Sequence, residues 1–142
     1  MNILEKILDQ KRLEIAALDA QALRHAAEQS PTPRDFLAAI KRRRFGTHPS
    51  LIAELKRASP SKGILAPHLD LFQVADIYTQ NGASAISVLT DEKFFMGKLD
   101  TLHALRNTYH CPVPLLRKDF IIEEYQVREA RVAGLQFDDE RP

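Results

Sequence analysis

The chain reads as an α/β protein built on a parallel sheet. Apolar runs at Ser50 to Lys56, Ala85 to Leu89 and Val113 to Lys118 have the length and content of strands buried on both faces. Each run is followed by a helical pattern, at Leu71 to Gln80, Leu99 to Tyr109 and Glu123 to Ala133. The connections are short, and strand and helix alternate as they do in βαβ units.

A helical segment precedes this pattern. Ile3, Leu4, Ile7, Leu8, Ile15 and Leu18 recur at helical spacing. Asn2 with Glu5 three residues on predicts a capping box. Ala20 to Ala27 is an alanine-rich second helix, broken by Ser30-Pro31-Thr32-Pro33. Thr32 is then the expected N-cap of a third helix, with Pro33 at its first position and Phe36, Leu37 and Ile40 as its apolar stripe. The basic run Lys41 to Arg44 suits the end of that helix, where cations oppose the dipole, and reads as a solvated helix end.

In the sheet region, Ser59-Pro60-Ser61-Lys62-Gly63 reads as a loop after the first strand. Asp70 caps the next helix and Asn81-Gly82 ends it; Gly134 ends the last one. A fourth strand is expected after Gly134. Leu135 to Pro142 instead has four charged residues in eight, which does not fit a buried parallel strand and predicts a frayed tail.

Composition excludes several classes. The 142 residues are 44% hydrophobic and 27% charged, an ordinary balance for a packed core. A net charge of +1 gives no global field for nucleic acid or membrane. The single cysteine, Cys111, cannot form an intrachain disulfide and fits a reducing cytosol. No apolar run approaches the roughly 18 residues of a membrane span. Glu5 and Lys6 interrupt the N-terminus before any signal-peptide core could form.

Reactive groups in parallel α/β folds gather at the C-terminal ends of strands. There Ile52, Glu54 and Lys56 share one face of the first strand, since side chains alternate. A carboxylate and an ammonium two residues apart on an inward face need pairing or use. The same spacing also suits a surface ion pair. In the third strand Val113, Leu115 and Arg117 share one face, and Pro114, Leu116 and Lys118 the other. A lysine there, desolvated beside Phe120, gives up its proton more readily and suits a general acid; an exposed strand terminus is the plainer alternative. After the second strand, Phe94 and Phe95 suit a flat apolar ligand or a small core under the loop.

These residues carry a family resemblance. Leu51-Ile52-Ala53-Glu54-Leu55-Lys56-Arg57-Ala58-Ser59-Pro60-Ser61 resembles a motif of the indole-3-glycerol-phosphate synthases. Ser87 to Phe95 resembles that family's second strand and loop, and Leu116-Arg117-Lys118-Asp119-Phe120-Ile121 its third. The three motifs fall in the family's order, and the resemblance covers roughly residues 1 to 134.

The resemblance implies the N-terminal part of a TIM (β/α)8 barrel, with a helical extension at 1–46, three βα units at 47–134 and a non-matching charged tail at 135–142. It implies a carboxy-lyase of tryptophan biosynthesis that needs no cofactor or metal. Its substrate would be 1-(2-carboxyphenylamino)-1-deoxyribulose 5-phosphate, which undergoes ring closure, decarboxylation and dehydration. Lys118 matches the general acid, with Glu54 and Lys56 as the charged pair beside it. Ser59 matches a loop serine near the substrate, in a loop expected to be mobile, and Phe95 and Phe120 match the walls of the anthranilate ring. A whole barrel needs about 250 residues. The family's later catalytic glutamate and phosphate-binding loops have no counterpart here, so an incomplete chain, inactive alone, is expected. The partners implied are a phosphorylated small molecule, with neither nucleic acid nor membrane, and self-association through an open sheet edge in the cytoplasm. The rival reading is a non-catalytic half-barrel that assembles with a second chain. Another phosphate-binding barrel, such as phosphoribosylanthranilate isomerase, fits the first motif poorly.

Overall fold

The computed structural model describes residues 1–41 and 49–134. Three helices come first: α1 (Ile3–Ala16), α2 (Ala20–Gln29) and α3 (Phe36–Lys41). The Asn2–Glu5 capping box forms in both directions, at 2.7 and 2.9 Å. Asn2→Ala should therefore lower the thermal midpoint, at a cost of about 1 kcal/mol. Asp19 caps α2 through the Ala22 N–H.

The expected start of α3 is corrected. It begins at Phe36, and the Asp35 carboxylate, not Thr32, accepts the Ala38 N–H at 2.6 Å. Arg34 precedes the helix, and its guanidinium donates to the Cys111 and Val113 carbonyls, which docks this segment on the β5 side of the sheet. Lys41 does lie in the last turn of α3; Arg42 to Arg44, the 46/47 boundary and the tail from Leu135 fall outside the described residues.

The sheet comprises β1 (Ile52–Leu55), β4 (Ala85–Leu89) and β5 (Leu115–Lys118), parallel in that order. The helices α4 (Leu71–Gln80) and α6 (Leu99–Asn107) make the crossovers, and α7 (Glu124–Val132) follows β5. Strands β1 and β5 and helix α6 are each shorter than the sequence pattern suggested. Between β1 and α4, the expected loop is a hairpin, β2 (Ala58–Ser59) against β3 (Gly63–Ile64), with Ser59 opposite Gly63. Between β4 and α6, a four-residue helix, α5 (Glu92–Phe95), occupies the other expected loop, capped by Asp91.

Alternation sorts the sheet into two faces. Leu55, Val88 and Arg117 are in register on one, and Glu54, Ser87 and Leu116 on the other. The first face makes the core: Leu55, Ile86, Val88 and Leu115 pack with Leu71, Ala75, Leu102 and Leu105 from α4 and α6. The second face bears Glu54 and, in register with Leu89, Lys118. Helix α2 packs on α7. No helix among the described residues is long and apolar enough to cross a membrane.

Two glycines are required by the path. Gly134 ends α7 at φ +90°, a left-handed conformation costly for other residues. Gly97 lies against the end of β4, where an added Cβ would stand 2.2 Å from the Leu89 carbonyl oxygen. Gly97→Ala should therefore displace the α5 segment and cost about 1–3 kcal/mol, read as a lower urea midpoint.

Candidate functional site

Glu54 is the hinge of the charged group. Its Oε1 lies 3.2 Å from Lys56 Nζ, and its Oε2 lies 3.8 Å from Lys118 Nζ. One carboxylate therefore faces two ammonium groups from opposite edge strands, β1 and β5. Tyr78 fixes the backbone beneath by donating its hydroxyl to the Glu54 carbonyl at 3.1 Å. Of the two readings of Lys118, the exposed strand terminus holds: 54% of its side chain is exposed, since β5 is an outer strand and nothing among the described residues covers its end. Ser87, in register with Glu54 on the same face, has a buried hydroxyl without a hydrogen-bond partner among the described residues.

A cavity of about 760 Å³ adjoins this group. Lys56, Ser59, Phe95 and Phe120 all line it, together with Ile3, Leu4 and Ile7 of α1. The two phenylalanine rings stand 6.1 Å apart, tilted by 42°. Ser59 is buried; its hydroxyl accepts the Lys62 N–H at 3.3 Å and lies 3.5 Å from that of Ser61, which closes the hairpin turn. Four of the six sequence-predicted site residues thus share one cavity. Glu54 and Lys118 stand outside its lining and join it through Lys56.

A second set of residues was not singled out from the sequence. Lys11 of α1 is only 2% exposed, and its ammonium meets Asp91 at 2.8 Å, Asp119 at 2.9 Å and Glu14 at 2.8 Å. Asp119 also pairs with Arg117 at 3.2 Å and accepts the Thr90 hydroxyl at 2.6 Å. Arg117 continues to Glu129 of α7 at 2.8 Å. Asp119 directly follows β5 and Asp91 lies two residues past β4, and a carboxylate just beyond each of two strand ends was the available signal.

Burial alone would raise the Asp119 carboxyl. Hydrogen bonds from Thr90 and Lys11, with the charges of Lys11 and Arg117, instead hold it below its ordinary value of 3.8. Burial likewise opposes the charge on Lys11, but Asp91, Glu14 and Asp119 outweigh it and hold the ammonium above its ordinary value. A depressed carboxylate contributes stability above its unfolded value and loses it as pH falls through the folded one. A raised lysine contributes below its unfolded value and loses it as pH rises through the folded one. Denaturation midpoints should therefore show no loss from Asp119 or Lys11 between 3.8 and 10.5, the two ordinary values, and a loss below 3.8 that is smaller in Asp119→Asn.

Burial pushes the Cys111 thiol up, so it stays protonated in its pocket. Among the described residues, no group of three His, Cys, Asp or Glu is placed to hold a metal ion. The described histidines, His25, His68, His103 and His110, are exposed.

Comparison with known proteins decides the family. The model of the indole-3-glycerol phosphate synthase family matches residues 4–137. The chain belongs to the indole-3-glycerol phosphate synthase family. Relatives called indole-3-glycerol phosphate synthase include that of Chloroherpeton thalassium, 48% identical over 138 residues, covering 94% of this chain and 52% of the relative. That of Roseiflexus sp. (strain RS-1) is 50% identical over 141 residues, covering 93% and 51%. That of Dechloromonas aromatica is 42% identical over 142 residues, covering 94% and 52%. The chain spans about half the length of the curated relatives it matches. Its parallel β1-β4-β5 sheet with intervening helices is accordingly the N-terminal part of the synthase family's (β/α)8 barrel.

Proposed function

We propose that this chain supplies the first three strands of the active face of an indole-3-glycerol phosphate synthase, a carboxy-lyase of tryptophan biosynthesis. The observation that carries the reading is Glu54 set between Lys56 and Lys118, beside a cavity lined by Ser59, Phe95 and Phe120. The substrate offers a carboxylate, a phosphate, a ketone and an aromatic ring. Two ammonium groups and two phenyl rings suit that set.

In this reading, Lys118 gives its proton to the ketone oxygen as the carboxylate-bearing ring carbon attacks the ketone carbon. Loss of carbon dioxide restores the ring electrons to the new bond framework, and loss of water completes the indole. Lys56 holds the substrate's anionic groups. Glu54 orients both lysines, and Phe95 and Phe120 wall the anthranilate ring. The Ser59 hydroxyl, at the base of the hairpin, meets the substrate when that hairpin closes. Later strands would supply the remaining polar groups and the phosphate loops. The proposed organisation is an extension at 1–46, three βα units at 47–134 and a separate tail at 135–142. The reaction calls for no cofactor, and the setting is the cytosol.

A second reading, a half-barrel without catalysis of its own, is favoured by the unpaired outer edges of β1 and β5 among the described residues. Such edges also favour self-association. Lysine acylation tests the primary reading. A substrate analogue with its ketone reduced to an alcohol should protect Lys56 and Lys118 and leave Lys6 reactive. Equal labelling of all three with and without the analogue would remove the site from this face.

A further inference from the structure

We propose that Lys11 is a positioning residue: its buried ammonium ties the ends of β4 and β5 together and thereby sets the Phe95–Phe120 ring pair as a wall for a planar aromatic carboxylate. The wall's role rests on the function proposed above; the positioning itself rests on geometry alone.

The ammonium reaches both walls through one carboxylate each. Asp91, 2.8 Å from Lys11, accepts the Phe94 N–H at 2.7 Å and so anchors the first turn of the short helix that bears Phe95. Asp119, 2.9 Å from Lys11, accepts the Phe120 N–H at 2.8 Å. A single cation thus fixes the backbone beside both rings. Lys11 also lies one helical turn beyond Ile7 and two beyond Leu4, on the face of α1 that lines the same cavity. Helix α1, the β4 end and the β5 end therefore meet at one atom.

Stability alone does not call for this arrangement. Apolar side chains of similar volume often replace buried ion groups at no loss. What an apolar residue cannot do is hold two carboxylates, and the rings that follow them, at a fixed separation. Arg117 is no substitute, because its guanidinium is taken up by Asp119 and Glu129.

The test uses this chain, anthranilate as probe through its own fluorescence, and nuclear Overhauser contacts between the Phe95 and Phe120 rings. Lys11→Met should lose the ring-to-ring contacts and bind anthranilate at least tenfold more weakly while keeping native circular dichroism. Leu105→Ala, a core change away from the cavity, should lower stability yet keep both. If Lys11→Met does not fold, Lys11→Met with Asp91→Asn removes one orphaned charge and keeps an N-cap, and the same losses are expected. Ring contacts and affinity that survive the loss of Lys11 would overturn the proposal, as would their equal loss in Leu105→Ala. Ring contacts that depend on Lys11 in a chain that does not bind anthranilate would uphold the positioning role and count against the proposed ring wall instead.

Discussion

Lys118→Ala should reduce indole-3-glycerol phosphate formation by about 10²- to 10⁴-fold, the usual worth of a positioned general acid, when the chain is completed by a relative's C-terminal barrel half. The same substitution should leave the fold alone. Lys118 is 54% exposed, and among the described residues its ion pair is the 3.8 Å approach to Glu54. Surface changes of this kind stay within about 0.5 kcal/mol. The separation of effects is the point: a large kinetic loss with an unmoved urea midpoint assigns Lys118 to chemistry. Equal falls in kcat and kcat/KM would place the lost interaction in the transition state. Retained turnover would remove Lys118 from its role.

Asp119→Ala should do the reverse at first and destroy the fold's margin. The substitution leaves Lys11 and Arg117 facing each other with their shared carboxylate gone, and strips acceptors from Thr90 and the Phe120 N–H. Removing one partner of a buried pair costs about 3–5 kcal/mol, a large share of the roughly 5–15 kcal/mol that holds a domain together. A urea titration should show the midpoint collapse. Glu124→Ala, which breaks only the exposed pair with Arg128, should move it little. Similar shifts in the two variants would mean that the buried network contributes no more than a surface pair.

Much of this architecture was legible in the residues. Apolar runs located β1, β4 and β5, and Asn2, Asp70 and Gly134 marked helix ends through side-chain and backbone chemistry that local sequence encodes. The misses share a cause, which is tertiary or very short-range structure without a period. The β2–β3 hairpin has two residues per strand and α5 has four residues, too few for an alternation or a stripe. At α3 the expected N-cap was Thr32, but Asp35 takes that role, and Arg34 just before it docks onto distant carbonyls that local sequence does not reveal.

The site divides the same way. Glu54 and Lys56 were legible as neighbours because alternation puts them on one face, and Lys118 joined them through a parallel register. Lys11 was illegible. Within α1 it reads as one more solvated lysine, and only the folded arrangement brings Asp91 and Asp119 to it. Whether Lys118 is desolvated or exposed could not be read locally for a related reason: burial at a strand end is set by neighbouring strands, and β5 has a neighbour on one side only among the described residues.

The most direct measurement of the central claim is indole-3-glycerol phosphate formation, followed by fluorescence, in the purified chain with and without a C-terminal barrel half from a relative. Turnover that requires both pieces, and that vanishes with Lys118→Ala, is the predicted result. A folded, reassembled barrel that forms no product, or one whose turnover survives the loss of Lys118, would contradict the account.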